Sequence, residues 1–126
     1  MTPAQHWRDQ LRHSLLSARK SRDTTRVTAI RSALSAIDNA ETPQADRTDT
    51  RIGGSIAGAV SGVGSTEIAR RVLSDAEIRD LIQAEVDEQL TAADEYIAGG
   101  HHERASDLQS QAAVLTQMLS QESEDV

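Results

Sequence analysis

Residues 23–41 read DTTRVTAIRSALSAIDNAE. Val27, Ile30, Leu34 and Ile37 recur at steps of three, four and three, which places them on one stripe of an α-helix. Arg26 and Arg31 flank the stripe, and Asp38, Asn39 and Glu41 close it. None of these residues is a reaction centre. The stretch specifies an aliphatic helical seam, and a seam of that kind needs partner helices to cover it.

The first partner lies just upstream. Thr2-Pro3-Ala4-Gln5 is a helix start, with Thr2 as cap, Pro3 at the first helical position and Gln5 able to reach back to the cap amide. Trp7, Leu11, Leu15 and Ala18 then recur at steps of four, four and three, with Leu16 beside them. This spacing predicts a first helix over about 3–21. Asp23 or Thr24 caps the second helix, so the connection is two or three residues long. A connection that short makes the two helices antiparallel neighbours.

The turn gathers Arg19, Lys20, Arg22 and Arg26, with Arg31 further along the second helix. These five are the candidate residues for contact with RNA or another partner. The cluster suits a phosphate or RNA contact. The better reading of the residues alone is a solvated tip whose cations offset the negative end of the first helix. No aromatic residue interleaves the cluster, so base stacking is not indicated.

Downstream, Thr42-Pro43 ends the second helix, because proline disfavours helical geometry at the residue before it. Residues 43–65 hold Gly53, Gly54, Gly58, Gly62 and Gly64. They lack the Gly-Lys-Ser/Thr ending and the preceding strand of a phosphate-binding loop. The stretch reads as a flexible glycine-rich linker, taken to span 43–73, with apolar packing around Ile56–Val63 and a helical turn over Thr66–Arg71 as options. Ser74 and Glu77 then form a capping box, with Leu73 and Ile78 placed as a hydrophobic staple. Ile78, Leu81, Ile82, Val86, Leu90, Ala93 and Ile97 lie along one broad face of a third helix over about 75–98, stopped by Gly99-Gly100. His101 or His102 opens a fourth helix carrying Ala105, Leu108, Ala112, Leu115 and Leu119. The polar, acidic residues from Gln121 onward are expected to fray.

The expected fold is therefore all-α. Two antiparallel helical hairpins, over 3–42 and 74–120, pack as a small bundle and are joined by a glycine-rich loop, within one domain of 1–126. A chain of 126 residues suits one core, and with no Phe, one Trp and one Tyr that core must be aliphatic.

Composition narrows the function. Without cysteine there is no thiolate nucleophile, disulfide or Cys-ligated metal. The opening residues lack an apolar signal core and no run is long enough to span a bilayer, so the expectation is a cytoplasmic protein with no membrane partner. Residues 1–51 carry nine Arg/Lys against six Asp/Glu, and residues 52–126 carry four against fourteen. An acidic chain of net charge −7 repels phosphate backbones, so any nucleic-acid contact falls to its basic first part. The same acidity also serves to keep a small domain soluble.

The remaining chemical candidates are weak. His6 and His13 lie too far apart along a helix to ligate one ion. His101-His102 with Glu103 point in different directions, so polar helix-start residues are the better reading. Glu85, Asp87, Glu88, Asp94 and Glu95 form an acidic face without the Glu-x-x-His motifs of a di-iron bundle. No catalytic residue, metal or cofactor is assigned.

The order of these features resembles one family. The run Arg22-Asp23…Arg26-Val-Thr-Ala-Ile-Arg31…Ala36-Ile37-Asp38-Asn39-Ala40-Glu41 is similar to the first motif of the GatB/YqeY-like proteins. The run Arg71-Val-Leu73-Ser74-Asp75-Ala76-Glu77-Ile78…Glu85-Val-Asp-Glu-Gln89…Tyr96-Ile-Ala-Gly99-Gly100 is similar to the second. Residues 62–68 resemble the linker of the shorter actinobacterial-type members, and the likeness covers about 11–119. It implies an accessory role beside tRNA-dependent amidotransferase, a carbon–nitrogen ligase that uses glutamine as amide donor and whose tail helps hold tRNA. It implies tRNA or a protein of the translation machinery as partner. Gln89 stands where many relatives carry Arg, Gln109 and Gln111 where they carry Glu, and longer members continue into a further helical domain. The alternative is a protein–protein interaction module with no RNA role, docking through the basic tip or the acidic third helix. A self-contained ligase ranks last, because the chain offers neither a nucleotide loop nor a nucleophile with an identifiable base.

Overall fold

The computed structural model describes residues 1–42 and 71–124, with no side-chain description at 123 and 124. Among them are four helices and no strand: α1 (Pro3–Lys20), α2 (Thr24–Glu41), α3 (Asp75–Ala98) and α4 (His102–Glu124). The described residues therefore form an all-α bundle. The expectations for Ile56–Val63 and for most of the glycine-rich linker lie outside them, as does all but Arg71 of the turn expected over Thr66–Arg71.

Local chemistry sets each boundary. The Thr2 hydroxyl accepts from the Gln5 amide while the Gln5 side chain accepts from the Thr2 amide. Ser74 and Glu77 do the same at the start of α3. Asp23, rather than Thr24, caps α2 by accepting from the Arg26 amide at 3.1 Å. Such caps satisfy amides that the helix leaves free, each typically worth about 1 kcal/mol.

Helix α2 is the hub. It packs against α1, α3 and α4, while α3 and α4 pack most extensively on each other and α1 touches α3. Trp7 and Leu11 of α1, Ile30 and Ile37 of α2, Ile78 and Ile82 of α3 and Leu115 of α4 are fully buried in one continuous core. Ala29 and Ala33 are buried beside Ile30 and Ile37.

Three expectations need correction. The linker ends earlier than Leu73: that side chain is only 2 % exposed, and the Arg71 amide donates to the Glu41 carbonyl at 3.0 Å. The end of α4 does not fray at Gln121, because Glu122 is buried against His6 at 3.0 Å and holds the last turn. On α3 the buried stripe passes through Gln89, whereas Leu90 and Ile97 are 43 % and 41 % exposed.

The first turn of α1 clasps the other end of the chain. The Trp7 indole N–H donates to Asp75 Oδ1 at 2.8 Å. The Arg79 guanidinium lies 5.4 Å from the Trp7 ring centroid, pairs with Asp75 at 2.7 Å and donates to the Leu119 carbonyl at 3.3 Å. Arg79 and Trp7 together hold the Asp75 carboxyl below the ordinary aspartate value. One ring and one guanidinium thus join α1, α3 and α4.

Candidate functional site

The turn between α1 and α2 carries the predicted cations. It is built by two backbone bonds: the Arg22 amide donates to the Arg19 carbonyl at 3.1 Å, and the Asp23 amide to the Ala18 carbonyl at 2.9 Å. This is the Schellman ending of a helix, which requires a left-handed residue just past the cap. Arg22 supplies it, with φ +58°. The turn between α3 and α4 repeats the pattern, with Gly100 to Ile97 at 3.0 Å and His101 to Tyr96 at 2.8 Å. There the left-handed residue is Gly100, at φ +84°.

Glycine takes that conformation without steric cost, whereas a side chain meets its own backbone there. The α1–α2 turn therefore places a long cationic side chain where local physics favours glycine.

Arg19, Lys20, Arg22 and Arg26 gather at this end of the molecule, with Arg26 half-buried and the others exposed. Residues 19–26 hold these four cations and one carboxylate, Asp23, which is engaged in capping α2. Among the described residues none of the four side chains forms an ion pair or hydrogen bond. Other arginines are committed: Arg8 to Asp38 and Glu41, Arg71 to Glu77, Arg79 to Asp75. Arg31 is exposed and likewise unpaired, but it stands apart from the turn. It lies five residues past Arg26, about 140° round the helix and roughly 7 Å further along.

Sequence reading missed the polar residues that continue apolar stripes. Glu41 lies four residues beyond Ile37 and is 7 % exposed, held by Arg8 from α1. Its carboxylate is the chief cause that raises the already high Arg8 pKa. Gln89 follows Ile82 and Val86 and is 8 % exposed, with Oε1 lacking a partner. Glu122 follows Leu115 and Met118. The signal was present in each case: a polar residue on the periodic apolar face implies a partner on a neighbouring helix.

Among the described residues no group of three His, Asp or Glu side chains is placed to hold a metal. A groove of about 230 Å³ is lined by Ala40, Arg71, Leu73, Glu77, Asp80, Leu81 and Ala84. Glu77 there is held below the ordinary glutamate value, chiefly by the Ser74 amide, so it is an ionised cap and not a poised acid. No helix of the described residues is long and apolar enough to cross a membrane. No family model, no curated protein and no solved structure matches this chain.

Proposed function

We propose that this chain is a non-catalytic accessory domain of the GatB/YqeY-like kind, built from two antiparallel helical hairpins joined through the glycine-rich stretch. It binds tRNA beside a glutamine-dependent amidotransferase, in the cytoplasm, and the basic turn is its contact. The observation that carries this reading is the set of uncommitted cations at Arg19, Lys20, Arg22 and Arg26, beside arginines that are paired elsewhere. Arg31 stands on another side of α2 and is a separate cation, not an extension of this set. A protein of net charge −7 whose four cations here have no partner among the described residues has an electrostatic handle there for a polyanion.

The hairpin reading has its own support. Arg8, early in α1, meets Asp38 and Glu41, late in α2. Arg79, early in α3, meets the Leu119 carbonyl, late in α4.

The test is a tRNA-binding titration at several salt concentrations. Retardation at low salt that weakens with salt, and is lost on replacing Arg22 and Arg26 with Ala, is the expected result. No retardation at low salt removes the RNA reading.

A second reading is a protein–protein module. Leu90 and Ile97 are half-exposed, seven residues apart on α3, beside Asp87 and Asp94. Affinity capture that yields a stoichiometric protein without RNA favours it.

A further inference from the structure

We infer that the basic turn recognises the phosphate backbone of a paired nucleic-acid stem, without reading base sequence. This inference rests on the RNA reading above and specifies which feature of the nucleic acid is bound.

Single strands are held largely by stacking bases on exposed rings, each stack worth about 1–3 kcal/mol. The chain has one Trp, one Tyr and no Phe with which to do this. Trp7 is fully buried and its N–H is committed to Asp75. Tyr96 is partly buried at the other hairpin turn, with His101 edge-on at 6.1 Å between centroids and Arg104 over its ring at 5.6 Å. Both rings are thus already engaged by groups of the bundle itself.

Base-edge reading needs a different feature: a helix or ribbon presenting several polar side chains deep in a groove. The turn instead has Arg22 at its apex, with Arg19 and Lys20 on the α1 side and Arg26 on the α2 side. Every one of these carries only donors, which match phosphate oxygens. The exposed residues nearest in sequence, Ser21 and Thr24, are short, and the Ser21 hydroxyl is turned back onto the Ser17 and Ala18 carbonyls at 3.2 Å. The amino end of α2 is occupied by the Asp23 carboxylate, so the positive charge here comes from the four side chains. A paired stem presents phosphates at fixed spacing, so a rigid turn can meet them without ordering the strand first.

The acidic remainder sharpens the contact. Residues 52–126 carry fourteen Asp/Glu against four Arg/Lys, so a polyanion is repelled from most of the other surface. Against that acidic background the α1–α2 turn concentrates four cations within residues 19–26.

The experiment compares the full chain against tRNA, two random-sequence RNA hairpins of equal stem length, and a single-stranded homopolymer of equal charge. The expected result is binding of both hairpins within about threefold of each other. The single strand should be weaker by about tenfold or more, for want of stacking. The log–log salt slope should lie near −3 to −4 for about four phosphates and fall by about one unit for Arg22→Ala. Arg22→Lys, which keeps the charge, should retain that slope. Equal or tighter binding of the single strand, or strong preference between the two hairpins, overturns the inference while leaving an RNA role standing. Absence of binding to tRNA and to every other probe overturns the RNA reading itself.

Discussion

Arg22 and Gly100 occupy the same position in two copies of one turn. Each is the left-handed residue that follows a helix cap, and each donates its amide to the carbonyl three residues back. One turn is built with the residue that conformation favours and the other with a cation. Replacing Arg22 with Gly should therefore separate stability from binding. The variant should gain up to about 1 kcal/mol, a rise in Tm of roughly 4 °C, by relieving the left-handed penalty. It should bind tRNA more weakly than the parent. Thermal melts and the titration together check this, and a variant that binds unchanged removes Arg22 from the contact.

Trp7 is both a core residue and a hydrogen-bond donor to Asp75. Trp7→Phe deletes the donor and leaves a small void, so it should cost about 1–2 kcal/mol. Trp7→Ala should cost about 3–5 kcal/mol, because it also leaves a cavity at the junction of three helices. Urea unfolding followed by helical circular dichroism distinguishes the two. Equal losses would mean that the cavity adds nothing to the cost of the missing donor, and an unchanged Trp7→Phe would mean that the indole N–H contributes nothing.

Arg8 and Glu41 form a largely buried pair between α1 and α2. Arg8→Met strips Glu41 of its guanidinium partner and should cost about 3 kcal/mol. Adding Glu41→Leu to Arg8→Met should recover most of that loss, to within about 1 kcal/mol of the parent. A double variant as unstable as the single one would show that the pair is held by its packing and not by its charge.

The Asp75 carboxyl has a lowered pKa in the folded state, chiefly through Arg79 and then Trp7. The unfolded chain binds the proton more readily, so the ionised group stabilises the fold above the ordinary aspartate value. That contribution is lost as the pH falls below about 4 and through the folded value. Asp75→Asn should flatten the acid side of the stability profile. Denaturant midpoints between neutral pH and pH 3 test it, and an unchanged slope would remove Asp75 from the acid response.

Gln89 buries a carboxamide oxygen with no partner. Gln89→Met, of similar length, should stabilise the bundle by about 1 kcal/mol. A loss of similar size would mean that the carboxamide makes a bond the geometry does not record.

Much of this architecture was legible because helix periodicity and capping are local. The Thr2–Gln5 and Ser74–Glu77 boxes, the Gly99-Gly100 stop and the Ile30–Ile37 seam each lie within one or two turns of chain. The clasp was not legible, because Trp7 and Asp75 are 68 residues apart and His6 and Glu122 are 116 apart. Spacing along one helix cannot announce such pairings. The basic turn was readable as composition. Its separation from Arg31 and the left-handed backbone at Arg22 emerged only from the fold.

The bond from the Arg71 amide to the Glu41 carbonyl brings the outgoing and returning chain to one point. Residues 1–42 and 71–124 are in addition cross-linked by Trp7 to Asp75, His6 to Glu122 and Ser32 to Glu85. A backbone nicked between the two pieces would thus leave fragments that recognise each other across a ready-made interface. Co-expression of the halves from separate messages should therefore rebuild the bundle, and recovery of only one half on purification would show that the connection between them is required.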